Sequence, residues 1–205
     1  MIQTFNQAVR KVPNWLVYIV GLIPAVALIY MALTNGLGVD PVKRLEHELG
    51  EFALRLLVAG LAITPLLRFA RINLVKFRRA IGVLAFTYVT LHLHVWLVLD
   101  VQIVSQIWTD ILKRPYITVG MAAFALMLPL AVTSNNWSVR RLGPSWRKLH
   151  KLTYVAAILG SVHFVILVKG FQVEPLIYLA IVLLFLAARA PMVLNFQANW
   201  LRSQD

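Results

Sequence analysis

The chain contains no cysteine among its 205 residues. Disulfide bonds, iron–sulfur clusters and thiolate ligation are therefore excluded, so any metal must be bound by histidine, methionine or oxygen ligands. Charged residues are also scarce, at 14%, whereas hydrophobic residues reach 60% and the mean hydropathy is +0.76. A soluble domain is excluded by so low a share of charge.

Long apolar runs take the place of the missing charges. Six segments come close to the about 20 apolar residues that a helix needs to cross a bilayer. They are residues 15–34, 51–67, 80–99, 116–134, 152–168 and 175–190. Because the linkers between them are short, they predict an all-α integral membrane protein with one six-transmembrane-helix bundle over 15–190. Residues 1–14 and 191–205 form the flanking termini.

The net charge of +12 comes from basic residues in the short connections between spans. That distribution is typical of membrane topology and argues against nucleic-acid binding. With both termini in the cytoplasm, 14 of the 20 basic residues lie on the cytoplasmic side: Arg10, Lys11, Arg68, Arg71, Lys76, Arg78, Arg79, Arg140, Arg141, Arg147, Lys148, Lys151, Arg189 and Arg202. The outer side holds Lys43, Arg44, Arg55, Lys113, Arg114 and Lys169. We therefore expect cytoplasmic termini.

Two histidines lie deep inside apolar spans, His92 in TYVTLHLHVWLVL and His163 in AAILGSVHFVILV. An ionisable residue inside a membrane is a candidate functional residue, and neutral imidazole is a common ligand for iron. Counted from Arg79 and Lys151, both lie about 18–20 Å into the membrane at 1.5 Å per residue. Matched depth on two helices predicts a haem clamped between them. The alternative is that each imidazole only hydrogen-bonds a neighbouring helix.

The other histidines are harder to assign. His150 lies at the cytoplasmic boundary, about 20 Å from His163 along the same helix, and the start of the third span offers it no histidine partner. It can serve a second haem with an unusual second ligand, a flavin or quinone site, or only the interface. His94 points about 200° away from His92, which favours a hydrogen bond or the outer interface. His47, in the predicted outer loop, is a local polar contact or part of a docking surface.

Several arginines have candidate roles in binding a cofactor. Arg55 lies about one turn into the second span, where it can reach a haem propionate or extend to the interface. A single haem in the outer half of the membrane leaves about 20 Å to the cytoplasmic face, which is long for direct electron transfer. We therefore expect a flavin, a quinone or a second haem near His150. The flanking residues are Arg68, Arg78, Arg79 and Arg147.

Seven motifs together resemble a known family. They are GLGVDPVKRLEHELGEFAL at 36–54, LAITPLLRF at 61–69, RRAIG at 78–82, TLHL at 90–93, KRPYITVG at 113–120, LGPSWRKLHKLTY at 142–154 and VHF at 162–164. With them the chain resembles the MsrQ (YedZ) family, the haem-bearing membrane subunits of bacterial methionine sulfoxide reductase systems. That family belongs to the ferric-reductase-like transmembrane superfamily, which includes the NADPH oxidases. The resemblance covers almost the whole chain.

The resemblance implies a haem b, one or two per chain, held by His92 and His163, with His150 also implicated. It implies electron transfer across the bacterial inner membrane to the periplasmic molybdopterin reductase MsrP, which repairs methionine sulfoxide in oxidised proteins. The implied donor is the quinone pool or a cytoplasmic flavin reductase, with FMN bound to the membrane subunit. The chain would then be an electron-transfer subunit and not the catalytic subunit. About fifteen residues follow the sixth span, so we expect an external donor.

Four other functions are compatible with these residues. A quinol-linked cytochrome b or a metalloreductase would use the same histidines with another partner. A small proton-coupled transporter would use His92 and His163 as a proton relay, although the chain lacks the internal repeat that many transporters show. A structural membrane anchor would use neither histidine. For the preferred function, the outer segments NGLGVDPVKRLEH and IWTDILKRPY are the predicted docking surface for MsrP.

Overall fold

The structure, a computed structural model, describes residues 2–168 and 170–189, and these residues form helices joined by short connections. Lys169, Arg202 and the predicted tail 191–205 lie outside the described residues. The helices are α1 (Ile2–Lys11), α2 (Asn14–Leu33), α3 (Pro41–Phe69), α4 (Arg78–His94), α5 (Val104–Lys113), α6 (Pro115–Val132), α7 (Asn136–Leu142), α8 (Pro144–Leu149), α9 (Leu152–Leu167) and α10 (Val173–Ala187). A 3₁₀ turn, Val75–Phe77, precedes α4, and a π-helical segment, Val95–Val101, follows it.

Five helical stretches are long and apolar enough to cross a membrane, and α10 is a shorter apolar helix. The five are Asn14–Leu33, Pro41–Phe69, Val75–Val101, Pro115–Val132 and Pro144–Leu167. Each contains one of the first five predicted spans or nearly all of it, and α10 covers most of the sixth. The prediction of an all-α, six-span membrane protein is therefore confirmed.

The second span begins ten residues earlier than predicted, at Pro41. Proline fits the first turn of a helix, where its missing N–H would have no partner, and Asp40 caps the helix by accepting a hydrogen bond from the Lys43 N–H at 3.2 Å. The prediction of an outer loop up to residue 47 was therefore wrong from residue 41 onwards. His47 lies on α3, and most of the second predicted outer loop belongs to α5.

The bundle core consists of closely packed helix pairs. α3 lies along α4, and α6 lies along α9, while α2 and α10 pack on the outside of these pairs. The Tyr88 side chain is fully buried, and its hydroxyl donates to the Gly21 carbonyl at 2.7 Å and accepts from the Ala25 N–H at 3.0 Å. This hydroxyl therefore replaces a backbone hydrogen bond of α2 next to Pro24 and joins α2 to α4.

The two ends of the bundle differ in charge. The basic end consists of the connections 70–77 and 133–151 together with Ala188 and Arg189 after α10. The opposite end consists of the start of α3, the end of α4, α5, the start of α6, the end of α9 and the start of α10. Because α4 and α9 run in the same direction through the bundle, His92 and His163 lie towards the opposite end, and His150 lies at the basic end.

Candidate functional site

His92 on α4 and His163 on α9 face each other inside the bundle. Their ring centroids are 6.3 Å apart and their planes are inclined at 80°. Both side chains are half-buried among helices. The structure therefore brings together the two histidines that were predicted as a pair.

Each of these imidazoles is oriented by a backbone carbonyl of a neighbouring helix. The Nδ1 atom of His92 lies 2.8 Å from the Glu46 carbonyl oxygen on α3, and that of His163 lies 2.7 Å from the Tyr116 carbonyl oxygen on α6. Because a carbonyl oxygen can only accept, Nδ1 carries the proton in both rings. Nε2 is then the unprotonated nitrogen, which is the tautomer that binds a metal.

A glycine makes room for each ring. A methyl group added at Gly50 on α3 would lie 3.0 Å from Nδ1 of His92, and one added at Gly120 on α6 would lie 2.8 Å from Nδ1 of His163. Each glycine follows its ring's carbonyl partner, Glu46 or Tyr116, by four residues, which is about one helical turn. The two halves of the site therefore have the same arrangement: a backbone carbonyl that contacts the ring, and a glycine one turn later that leaves space for it.

The spacing of the pair fits a metal held between two imidazoles. With metal–nitrogen distances of about 2.0 Å and about 1.1 Å from each nitrogen to its ring centroid, two coaxial imidazoles would have centroids about 6 Å apart. The observed 6.3 Å agrees with that value. Within residues 2–168 and 170–189, neither Nε2 atom has a hydrogen-bond partner. A methyl group at Gly160, on the turn of α9 before His163, would meet nothing within 4 Å, so open space lies in front of this part of the helix.

A polar cluster on α3 and α10 lies beside His163. The buried Glu51 carboxylate accepts hydrogen bonds from the Arg55 guanidinium and, at 3.2 Å, from the Tyr178 hydroxyl. Phe164, which follows His163 on α9, contacts this cluster, because its ring lies 6.1 Å from the Tyr178 ring; it also lies 5.6 Å from the exposed His47 ring. The Arg55 guanidinium thus already has a carboxylate partner, and its contact with a haem propionate stays a prediction.

His150 and His94 are separate from the pair. His150 follows α8, its ring stacks on Trp146 at 3.8 Å between centroids, and its Nε2 lies 3.2 Å from the Thr133 hydroxyl oxygen. His94 is exposed on α4, as its spacing from His92 predicts. The structure therefore places His150, His94 and the pair of His92 and His163 in three different environments.

A cavity of about 550 Å³ opens at the basic end of the bundle, next to His150. Its cationic lining residues are Lys76, Arg78, Arg79, Arg147, Lys151 and Arg189, and its apolar lining comes from α3, α4 and α6. Three of the four arginines predicted to flank His150 thus line one cavity with it. Arg68 does not line it; its Nη1 donates to the Ala188 carbonyl at 3.1 Å.

Arg189 is a buried residue of this cavity that the sequence analysis did not single out. Its Nη2 donates to the Leu61 carbonyl at 2.6 Å and to the Thr64 hydroxyl at 3.1 Å, and its guanidinium lies 5.1 Å from the centre of the Tyr154 ring.

Sequence reasoning also missed Gly50 and Gly120. Gly120 stands inside a predicted span and Gly50 one residue before one; a glycine inside a helix is unfavourable, and its presence suggests a close approach by another group. That signal alone does not say which group approaches. For Arg189, the signal in the sequence was the distribution of acidic residues. No aspartate or glutamate lies in the connections 70–77 and 133–151, or between residues 175 and 204.

The fold and the site together define a multi-pass helical membrane protein with a histidine pair between its helices. Residues 48–161 match the ferric reductase like transmembrane component family. The protein-methionine-sulfoxide reductase heme-binding subunit MsrQ of Agrobacterium fabrum (strain C58) is 46% identical over 188 residues, which cover 90% of this chain and 87% of that protein. The subunit of the same name from Brucella ovis is 50% identical over 169 residues, which cover 82% of this chain and 77% of that protein.

The chain therefore belongs to the MsrQ family of ferric reductase-like transmembrane components. This confirms the resemblance inferred from the seven motifs. No solved structure matches the chain significantly.

Proposed function

We propose that this protein carries electrons across the bacterial inner membrane as a haem-bearing subunit, in which His92 and His163 would bind a haem b. The observation that carries the proposal is the pair of imidazoles 6.3 Å apart, each with Nδ1 held by a carbonyl. The relatives in Agrobacterium fabrum and Brucella ovis are named as heme-binding subunits. Haem b bound there would supply one-electron redox chemistry.

Backbone groups of the protein determine the tautomer of the two histidine rings. The carbonyls of Glu46 and Tyr116 fix the Nδ1–H tautomer, so that both Nε2 atoms are available, and they increase the basicity of the imidazoles. Both rings lie among membrane-spanning helices. Each ligand thus has its orientation set before the haem arrives, which reduces the entropy lost on binding.

We propose a second cofactor in the cavity beside His150. His150 lies thirteen residues before His163 on the same helical stretch, about 20 Å at 1.5 Å per residue, and a single haem would leave this distance without a carrier. His150, Arg78, Arg79 and Arg147 line the cavity and are its candidate binding residues. A second haem, FMN or a quinone is the candidate occupant. Arg68 has a weaker claim, because its side chain bonds Ala188 outside the lining.

The proposed direction of transfer follows the charge distribution. The basic end would face the cytoplasm, as the positive-inside rule requires, and accept electrons from the quinone pool or a cytoplasmic flavin reductase. The opposite end would face the periplasm and deliver them to the reductase MsrP, which repairs methionine sulfoxide. Exposed cations on α3 and α5 are the proposed docking groups for MsrP: Lys43, Arg44 and Lys113.

The test is a set of reduced-minus-oxidised visible spectra with haem quantified per chain. The samples are the wild type, His92→Ala, His163→Ala and His150→Ala, with His94→Ala as the control because His94 is exposed on the same helix as His92. We expect a low-spin b-type spectrum that is lost in the His92 and His163 variants and kept in the control. A haem-free wild type from cells supplied with haem precursor would refute the proposal and favour a proton-coupled transporter.

Two further readings of the same samples address the second cofactor. If it is a haem bound by His150, His150→Ala lowers haem content towards one per chain. If it is a flavin or a quinone, haem content is unchanged, but reduction of the haem by flavin reductase or quinol slows. Full haem content with undiminished reduction by every donor would exclude a role of His150 in electron transfer.

A further inference from the structure

The cavity at the basic end contains a buried cation with an unused hydrogen-bond donor. Arg189 is only 7% exposed, and its Nε–H has no hydrogen-bond partner among the described residues. A guanidinium has five donors, and here Nη2 alone accounts for the two hydrogen bonds, to Leu61 and Thr64. A buried charge with an unsatisfied donor costs free energy unless a further partner binds it.

The protein provides no carboxylate for this cation within residues 2–168 and 170–189. Seven of the eight acidic residues of the sequence lie towards the opposite end of the bundle, and the eighth, Asp205, lies outside the described residues. The seven are Asp40, Glu46, Glu48, Glu51, Asp100, Asp110 and Glu174. In each of the four ion pairs of the described residues, the acidic partner belongs to this group; the basic partners are Lys43, Arg44, Arg55 and Arg114.

A second guanidinium shares a partner with Arg189. The hydroxyl oxygen of Thr64 accepts hydrogen bonds from Nη2 of Arg189 and from Nη2 of Arg78. Two positive groups on one neutral oxygen repel each other, and a nearby negative charge would remove that repulsion. Both arginines line the cavity, so an occupant of the cavity can supply that negative charge to both.

We infer that the cavity binds a ligand with an oxyanion, a carboxylate or a phosphate, and that Arg189 and Arg78 receive it. The inference rests on the second-cofactor part of the proposed function and specifies its chemistry. A haem propionate, the phosphate of FMN and a phospholipid headgroup all have the required group. A quinone lacks it and leaves the buried guanidinium without a counter-ion.

The experiment uses the purified full chain in detergent. It compares two ligands that have an oxyanion with neutral counterparts that lack it, and it measures one anionic lipid. Titrations of FMN and riboflavin are followed by flavin fluorescence, and uptake of a second equivalent of haem is compared with that of haem dimethyl ester. Native mass spectrometry measures retained phosphatidylglycerol. The variants are Arg189→Gln and Arg189→Lys, with Arg140→Gln as the control, because Arg140 is an exposed cation of the same end that does not line the cavity.

We expect the wild type to bind the charged member of one pair, or phosphatidylglycerol, at least about tenfold more tightly than Arg189→Gln does. Arg189→Lys should recover part of that affinity, and Arg140→Gln should leave it unchanged. The affinity for the neutral member should be the same in all variants. The probe whose affinity falls in Arg189→Gln identifies the source of the oxyanion as flavin, haem or lipid.

Two results would overturn the inference. One is that no charged probe depends on Arg189; the other is that Arg189→Gln weakens charged and neutral members equally, as expected from a purely structural role. The spectrum of the haem at His92 and His163, recorded on the same samples, keeps the two proposals separate. If that haem is present while the charge preference is missing, only the inference fails, whereas a wild type without that haem refutes the proposed function.

Discussion

Adding one methyl group at Gly120 should weaken haem binding without unfolding the bundle. The Cβ of an alanine at this position would lie 2.8 Å from Nδ1 and 3.0 Å from Cε1 of His163. Ordinary van der Waals contact begins at about 3.4 Å, so the ring, α6 or both must move by about 0.6 Å. The same movement lengthens the 2.7 Å hydrogen bond to the Tyr116 carbonyl, because that carbonyl lies on the same helix one turn earlier.

The expected magnitude follows from the role of that hydrogen bond. Loss of the group that orients a metal-binding histidine typically lowers metal affinity about 10–100-fold, which corresponds to about 1.4–2.7 kcal/mol. Gly50→Ala should have a smaller effect, because its methyl group would lie 3.0 Å from Nδ1 of His92. The predicted order of haem retention is therefore wild type, then Gly50→Ala, then Gly120→Ala.

Gly82→Ala is the matched control. Gly82 lies on α4 ten residues before His92, and an added methyl group there would meet nothing within 4 Å. Replacing glycine by alanine in a helix is favourable by up to about 1 kcal/mol, so this variant should fold at least as well as the wild type.

The assay is the rate of haem transfer to excess apomyoglobin, with haem content per chain and size-exclusion profiles as accompanying measurements. We expect faster haem loss from Gly120→Ala at an unchanged elution volume, and a wild-type rate for the control. The reasoning would be refuted by a Gly120→Ala protein whose haem content, transfer rate and midpoint potential equal those of Gly82→Ala.

Three further predictions concern other parts of the protein. Tyr88→Phe removes the hydroxyl that bridges Gly21 and Ala25 of α2, and should destabilise the fold by about 1–3 kcal/mol in reversible detergent unfolding; unchanged unfolding would mean that the two backbone groups pair directly. Arg55→Leu should loosen haem or lower its potential if Arg55 contacts a propionate, whereas Glu51→Gln, which removes only the charge of its carboxylate partner, should not; equal effects would assign Arg55 a structural role. Charge reversal at Lys43, Arg44 or Lys113 should slow electron delivery to MsrP with haem spectra unchanged, and normal delivery would argue against docking there.

The histidine site and the basic cavity present different chemical groups to a ligand. At His92 and His163 the structure places two imidazoles whose Nδ1 atoms are held by backbone carbonyls. At the basic end it provides six cations and one histidine around a cavity of about 550 Å³. The first arrangement suits a metal between two nitrogens, and the second suits a ligand with a negatively charged group.

Much of the architecture could be predicted from the sequence. Membrane helices are specified by the local density of apolar residues, because any polar segment in the bilayer costs several kcal/mol per unsatisfied group, so the six spans were located within a few residues at most ends. The candidate ligands His92 and His163 could be predicted for the same reason, since an ionisable residue is conspicuous in an apolar run.

The boundaries of α3 and the helix α5 could not be predicted in this way. Both lie at membrane ends, where a polar segment can be helix or loop at similar cost. The proline and the Asp40 cap at the start of α3 decided the first case. The apolar side of α5, which packs on α6 and on the π-helical segment Val95–Val101, decided the second.

Only the tertiary structure determined which groups meet. His92 lies on α4, but its carbonyl partner and its glycine lie on α3; for His163 on α9, both are on α6. The separations are 46 and 47 residues, and no local pattern reports on contacts at that distance. Arg189 likewise meets Thr64 from 125 residues away. Residue composition determines that a helix enters the membrane, but helix–helix packing decides which glycine, carbonyl or guanidinium stands opposite a given side chain.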